Sequence, residues 1–184
     1  DVSHIAVAFD SEVKSFRNEL FVDYKDGSDT PDDLYEQFAL AERAVGALGI
    51  TYWPMMEFEA DDALGTAAVT YIEDERVDQV LICSPDKDLT QVVTSNRIVC
   101  LDRRKNLVID ENGVKRKYGV SPRSIPDYLG LMGDSSDGIP GIPKWGAKAS
   151  STLLARYEFI ECIPKNYGLW DVSVRGASGL SLSL

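Results

Sequence analysis

Four short apolar runs rich in β-branched residues alternate with helical patterns over residues 4–101, and this alternation limits the fold more than any other feature. The runs are 4–9, 50–53, 77–83 and 97–101. Between the first two, Thr30 reads as a helix N-cap with Pro31 at the first helical position and Asp33 completing a capping-box-like pair. Leu34, Phe38, Ala41, Val45 and Leu48 form the apolar stripe of that helix, and Gly49 stops it. Leu64, Ala67, Ala68, Tyr71 and Ile72 recur at helical spacing between the second and third runs. A short helix over 89–93 separates the last two. Strands alternating with helices imply right-handed crossovers, so the fold class is α/β with a mostly parallel sheet and flanking helices.

In a sheet of that kind the ligand crevice lies beyond the carboxyl ends of the strands. Asp10 follows the first strand, and Asp86 and Asp88 follow the third. Glu57, Glu59, Asp61 and Asp62 crowd the connection into the second helix, with Asp61 and Asp62 in its first turn, where the dipole favours anions. A charged, well-started surface helix is the plain alternative for that stretch taken alone. The topology places all three acidic groups on one rim of the sheet, and Asp134 and Asp137 supply a further pair.

The rest of the composition narrows the chemistry. His4 is the only histidine and starts a strand, so histidine triads and histidine-rich zinc sites lack support, and no G-x-S-x-G elbow is present. Cys83, Cys100 and Cys162 lack zinc spacing, and Cys83 and Cys100 read as buried free thiols of a reducing compartment. No apolar run is long enough to span a membrane, and no signal-peptide pattern opens the chain. Carboxylates remain. Eight of them cannot share one pocket as bare anions, whereas hard oxygen ligands select Mg²⁺ or Mn²⁺, which remove the repulsion. Two such ions about 4 Å apart polarise a phosphodiester, generate hydroxide and stabilise the leaving oxygen without an amino-acid nucleophile.

Net charge is −11, but it is unevenly spread. Residues 1–75 carry 4 basic and 18 acidic side chains, and residues 76–184 carry 15 basic and 12 acidic. An acidic half joined to a mildly basic one fits a metal-loaded site beside a phosphate-gripping surface, and fits a solvated acidic surface as well. Residues 102–113 read as a hairpin with a basic tip, Arg103-Arg104-Lys105, followed by Lys115-Arg116-Lys117. From residue 120 the texture turns helical, with a helix from Ser121-Pro122 through Met132 and another from about Ala147 to Tyr157.

Between these helices Gly141-x-x-x-x-Gly146 followed by Lys148 imitates a P-loop, but Ala147 intervenes and no strand leads in. The segment reads better as a Gly/Pro-rich hairpin whose backbone N–H groups, with Lys144 and Lys148, hold a phosphate. An ordinary helix connection is the competing reading. The tail after Pro164 is poorly patterned.

Phe9-Asp10, Phe16-Arg17, Tyr24-Lys25, Glu59-Ala60-Asp61-Asp62, Asp86-Lys87-Asp88-Leu89, Tyr118-Gly119-Val120, Leu131-Met132-Gly133-Asp134-Ser135-Ser136-Asp137 and Ile139-Pro140-Gly141 stand in this order. The ordered set resembles the 5′-nucleases: the 5′–3′ exonuclease domain of bacterial DNA polymerase I, its stand-alone relatives and the flap endonucleases. The resemblance covers about residues 4–160.

It implies a PIN-like or resolvase-like nuclease domain over 1–119 and a helical DNA-binding part with a helix–three-turn–helix over 120–184. It implies a two-metal nuclease using Mg²⁺ or Mn²⁺ on DNA 5′ ends and flaps, in replication or repair. By position, Asp10, Glu59, Asp61 and Asp62 resemble first-metal or outer-shell ligands, Asp86 and Asp88 the central pair, and Asp134 and Asp137 the second-metal side. Arg17 and Lys25 match residues that steer the scissile phosphate, and Gly141, Lys144, Gly146 and Lys148 fall in the segment that grips the duplex. A monomer without membrane contact, in a bacterial cytoplasm beside the nucleoid or in a eukaryotic organelle, completes the expectation.

Three departures accompany the resemblance. The family opens with a further strand carrying an early Asp, and this sequence starts after it, so either the protein is longer or the site is short of a ligand. Asp26-Gly27-Ser28-Asp29 stands where the family has a basic residue. Lys144 and Trp145 replace a Gly-Ile pair and Ala149 a hydroxyl residue, which counts against the K⁺ that the family's hairpin binds. Two rival functions follow: a DNA-binding module of this fold without turnover, and a ribonuclease on the same sheet.

Overall fold

The computed structural model describes residues 2–28 and 30–184, so of the acidic turn 26–29 the last member, Asp29, lies outside the described residues. The chain forms two compact units, Asp1–Ala67 with Ser136–Gly138, and Ala68–Ser135 with Ile139–Leu184.

In the first unit β1 (Ala6–Asp10) pairs in parallel with β2 (Thr51–Met55), from Ala6 opposite Thr51 to Asp10 opposite Met55. The chain leaving β1 stays against β2, because the amides of Ser11 and Glu12 both donate to the Met55 carbonyl. A one-turn helix, α1 (Arg17–Leu20), follows. The single helix expected after Thr30 is divided into α2 (Asp32–Tyr35) and α3 (Phe38–Ala47). The Gln37 side-chain amide donates to the Asp33 carbonyl at 2.7 Å, taking the acceptor that a continuous helix would give to the Gln37 backbone. Nor does Thr30 cap it; Pro31 stands at the cap and the Thr30 amide turns back to Gly27. The stripe is only partly covered, since Leu34 and Leu48 are exposed. Gly49 ends α3 with φ +72°, in the left-handed region expected of a helix stop. α4 (Ala60–Tyr71) starts one residue before Asp61, as its sequence pattern implies.

In the second unit β3 (Val80–Ile82) runs parallel to β4 (Ile98–Asp102), and β4 pairs antiparallel with β5 (Leu107–Ile109). The four strands expected from the sequence thus form two parallel pairs. β4 is the buried centre of this unit, with Ile98, Val99 and Cys100 all out of solvent. Also buried in this unit are Val114, Val120, Ile125, Leu131, Leu153 and Leu154. Val114 belongs to α5 (Glu111–Tyr118), a helix where the sequence predicts the end of a hairpin and a basic stretch. Only Val114 of its eight residues is buried, so it lacks an apolar stripe. Asp110 starts it by accepting the Gly113 amide at 2.7 Å, and Gly119 ends it at φ +77°.

α6 (Ile125–Met132) packs on α7 (Ala147–Tyr157). Between them β6 (Gly133–Asp134) and β7 (Ile139–Pro140) form a short ladder. A Cβ on Gly133 would lie 2.2 Å from the Gly141 nitrogen, so only glycine lets the two backbones cross. The weakly patterned tail carries one more short helix, α8 (Ala177–Ser181). Among the described residues no helix is long and apolar enough to cross a membrane. Cys100 is buried as expected, but Cys83 is exposed: it lies beyond the three-residue β3, where the chain has already left the sheet.

Candidate functional site

Glu59 is the best enclosed carboxylate of the first unit, 9% exposed just ahead of α4. Ser15 donates its hydroxyl to Oε1 at 2.6 Å and Tyr24 donates to Oε2 at 3.1 Å. The Lys25 ammonium stands 3.2 Å from Oε2 and the Arg17 guanidinium 3.6 Å from Oε1. Burial alone would raise the Glu59 pKa, but the two hydroxyl donors and two cations outweigh it and hold the group below its usual range. Burial, reinforced by the bond to Glu59, pushes the Tyr24 phenol up, so Tyr24 remains a donor.

Arg17 grips Asp62 with both terminal nitrogens, each at 2.7 Å. This fork lowers the Asp62 pKa and raises that of Arg17. Asp62 Oδ2 also accepts the Glu59 amide, which closes the first turn of α4 onto the cluster. The helix entrance receives a second acid from far along the chain. Asp10, the last residue of β1, accepts the Ala60 amide at 2.6 Å. Asp61 follows in the same turn and is partly buried.

Lys25 is shared. Besides Glu59 it reaches Asp137 Oδ1 at 2.9 Å, and its amide donates to the Asp137 carbonyl. Burial would lower the Lys25 pKa, but the bond to Asp137 and the Glu59 charge raise it on balance, so the ammonium stays charged.

In the second unit the Asp86 carboxylate accepts the Asp88 amide at 2.8 Å, and the Asp86 amide donates to the Ser84 hydroxyl oxygen. This local turn sets the two aspartates at the head of the 3₁₀ turn Asp88–Val92. Lys87, between them, pairs with Asp134 Oδ2 at 2.5 Å. Asp134 is 5% exposed. Burial works against the Lys87 charge, but the Asp134 hydrogen bond and the nearby Asp88 and Asp86 charges raise its pKa.

The Gly/Pro-rich segment ends at Gly146, which stands extended at the N-terminus of α7 with no side chain capping it and no acid in the first turn. Lys144, Gly146 and Lys148 are exposed. Lys144 holds φ +76°, a conformation that suits glycine better than lysine. Trp145 turns inward, 6% exposed, and its indole N–H donates to the Ser183 hydroxyl at 3.0 Å. Gly141 lies at the ladder crossing, where a Cβ would fall 2.3 Å from the Met132 carbonyl oxygen.

Within the first unit the structure therefore joins Arg17, Lys25, Glu59, Asp62 and Asp137 in one network, with Asp10 at the same helix entrance. Within the second it joins Asp86 to Asp88 and Asp134 to Lys87. Ser15 is not among the residues the sequence points to, and Tyr24 and Lys87 stand there within motifs without a role. Lys87 carries a signal, a lone cation between two aspartates, whereas Ser15 carries none because its partner lies 44 residues away.

Comparison with known proteins agrees with this architecture. A family model described as 5′-3′ exonuclease, N-terminal resolvase-like domain, matches residues 1–119, and one described as 5′-3′ exonuclease, C-terminal SAM fold, matches residues 120–177. The 5′-3′ exonuclease of Buchnera aphidicola subsp. Baizongia pistaciae is 43% identical over 165 residues, covering 89% of this chain and 54% of that protein. DNA polymerase I of Bacillus subtilis is 38% identical over 163 residues, covering 86% of this chain and 18% of the polymerase. The chain thus spans about half the length of the stand-alone exonuclease and about a fifth of the polymerase. A crystal structure of the T5 D15 protein co-crystallised with metal ions superposes with a TM-score of 0.78 at 18% identity, over 99% of this chain and 71% of that one, a likeness of fold. With a resolvase-like N-terminal domain followed by a helical SAM-fold part, the chain belongs to the 5′–3′ exonuclease family.

Proposed function

We propose that the chain is the nuclease part of a divalent-metal-dependent 5′–3′ exonuclease and 5′-flap endonuclease that hydrolyses DNA phosphodiester bonds in replication or repair. The observation that carries this reading is the network fixing Arg17 and Lys25: two cations locked by Asp62, Glu59 and Asp137 at the entrance of α4. Cations held in this way meet a phosphate with little loss of side-chain freedom. Family membership supports it. So do relatives named DNA polymerase I, and a T5 flap endonuclease solved with DNA and metal ions.

The donor set fits Mg²⁺ or Mn²⁺. Every candidate ligand is a hard carboxylate oxygen, and neither histidine nor cysteine joins either group. Asp10, Asp61, Asp86, Asp88, Asp134 and Asp137 would hold ions or the water around them. Glu59 and Asp62, already neutralised by Lys25 and Arg17, serve better as anchors of those cations. Ions so held supply Lewis-acid polarisation of the phosphoryl group and an activated water. The chain's own part is to orient. Asp62 aims the Arg17 fork, Glu59 and Asp137 aim Lys25, and Tyr24, kept protonated, holds Glu59 in place.

We assign the nuclease role to residues 1–119 and duplex contact to residues 120–184. There the uncapped N-terminus of α7 at Gly146, with Gly141, Lys144 and Lys148, offers N–H groups and charge to a phosphate. The inward Trp145 and the strained Lys144 count against a K⁺ at this hairpin. The relatives support a bacterial, cytoplasmic setting.

Incubating the protein with a labelled 5′-flap DNA and a matched RNA flap, in Mg²⁺, Mn²⁺ or chelator, tests the reading. Metal-dependent cutting of the DNA flap is the expected result. Tight DNA binding without cutting would reduce the chain to a binding module, and preference for RNA would make it a ribonuclease.

A further inference from the structure

The hairpin β4–β5 and the end of α5 carry charge that nothing above uses. Arg103, Arg104 and Lys105 fill the tip, and Lys115, Arg116 and Lys117 form the last turn of α5. All six are exposed. The acids nearby are already engaged. Asp102 accepts the Arg104 and Lys105 amides and pairs with the Lys105 ammonium. Asp110 caps α5, and Glu111 pairs with Lys115. Arg103, Arg104, Arg116 and Lys117 have no carboxylate within ion-pair distance among the described residues. In a chain of net charge −11, six exposed cations thus lie within fifteen residues.

Topology fixes where the tip lies. β3 and β4 are parallel with Ile82 opposite Cys100, so the chain leaves both strands at the same sheet edge. Asp86 follows β3 at that edge and Arg103 follows β4. α5 follows β5, which runs antiparallel to β4, and packs back against β5, so its last turn returns toward the tip. The tip is also preset: Asn106 closes it at φ +50°, a conformation asparagine tolerates well, and the Asp102 carboxylate gathers two of its amides.

We propose that Arg103, Arg104, Arg116 and Lys117 form a phosphate-contact surface along which the backbone of a nucleic-acid strand runs toward Asp86 and Asp88. The proposal rests on the nuclease reading for the identity of the strand as DNA. Arginines at a preset turn suit bidentate phosphate contact, and the exposed tip offers charge without a pocket for a base. The surface therefore contributes affinity without sequence preference.

The test is the salt dependence of 5′-flap DNA affinity, measured by fluorescence anisotropy in chelator with the full chain. Two variants are compared with the unmodified protein: Arg103→Gln/Arg104→Gln and Arg116→Gln/Lys117→Gln. Each phosphate contact contributes about −0.9 to the slope of log affinity against log salt on duplex and about −0.7 on single strand. Each double variant should flatten the slope by about 1–2 and weaken low-salt binding about tenfold or more, with the melting temperature unchanged because the side chains are exposed. Lys144→Ala/Lys148→Ala serves as a separate arm, whose loss should add to theirs. An unchanged slope in both variants overturns the proposal, as does a loss confined to anionic phosphatidylserine vesicles while DNA binding stays intact. If the unmodified protein cuts no flap in Mg²⁺ and the slope still flattens, the phosphate surface stands and the hydrolytic reading falls. If cutting is normal and the slope does not move, the reverse holds.

Discussion

Two groups of aspartate and glutamate, one in each unit, look alike in the sequence and are held in opposite ways. In the first unit the carboxylates are woven into the fold. Glu59 takes two hydroxyl donors and two cations, Asp62 a two-pronged guanidinium, Asp137 an ammonium, and Asp10 a helix N–H. In the second, Asp88 opens a five-residue 3₁₀ turn and Asp86, two residues before it, accepts its backbone N–H. The first arrangement makes acids into scaffolding for Arg17 and Lys25. The second presents acids on a local turn whose folding needs neither charge. Loss of Glu59 or Asp62 should therefore register first as stability, and loss of Asp86 or Asp88 as chemistry.

The largest effect belongs to the second group. Replacing both residues, Asp86→Asn and Asp88→Asn, should reduce metal-dependent flap cleavage about 10³-fold or more, the equivalent of about 4 kcal/mol of transition-state stabilisation. Asparagine still accepts the backbone N–H, so the melting temperature should hold or rise slightly as like charges leave. Undiminished cleavage would remove this pair from the chemistry.

Glu59→Gln reverses the pattern. It removes one of the two carboxylates beside each cation, leaving Lys25 with Asp137 and Arg17 with Asp62, and breaking a fully buried pair costs about 3–5 kcal/mol. Because the Lys25 side chain is 42% exposed, solvent screens part of that, and about 2 kcal/mol is expected by urea unfolding. A loss below about 0.5 kcal/mol would show that the network positions nothing.

Acidity should sharpen the contrast with a smaller effect. Glu59 and Asp62 titrate below their usual range, so their contribution is present above the unfolded carboxylate values and is lost as pH falls through the folded ones, below about pH 4. Arg17 and Lys25 titrate above theirs, so their share is complete below the unfolded values and is lost only as pH rises beyond about 10.5. Urea midpoints should be flat between these limits, and Glu59→Gln should make the acid limb shallower. An acid limb of the same steepness in that variant would place the linkage elsewhere.

Much of this was legible in the sequence where period and punctuation agree. The strand ending at Asp10, the acidic start of α4 and the span of α7 stand where the pattern sets them. α5 was not legible, because it is stabilised by a cap at Asp110 and a stop at Gly119 around one buried valine, with no stripe to read. The break between α2 and α3 depends on a single glutamine side chain competing for a carbonyl. For the site, residue types pointed to carboxylate chemistry, and the fold added which cation each carboxylate meets. Glu59 and Asp62 read as first-metal or outer-shell ligands in the sequence, and only the fold shows Lys25 and Arg17 paired with them.

The most direct measurement of the central claim, that these carboxylates hold divalent ions, is thermal unfolding across a Mn²⁺ titration for the unmodified chain and for the Asp86→Asn/Asp88→Asn variant. An ion that binds only the folded state adds about 2.7 kcal/mol at a hundredfold excess over its dissociation constant. The melting temperature of the unmodified chain should climb with Mn²⁺ and that of the variant should climb much less. Two superimposable curves, or none that moves at millimolar Mn²⁺, would contradict the account.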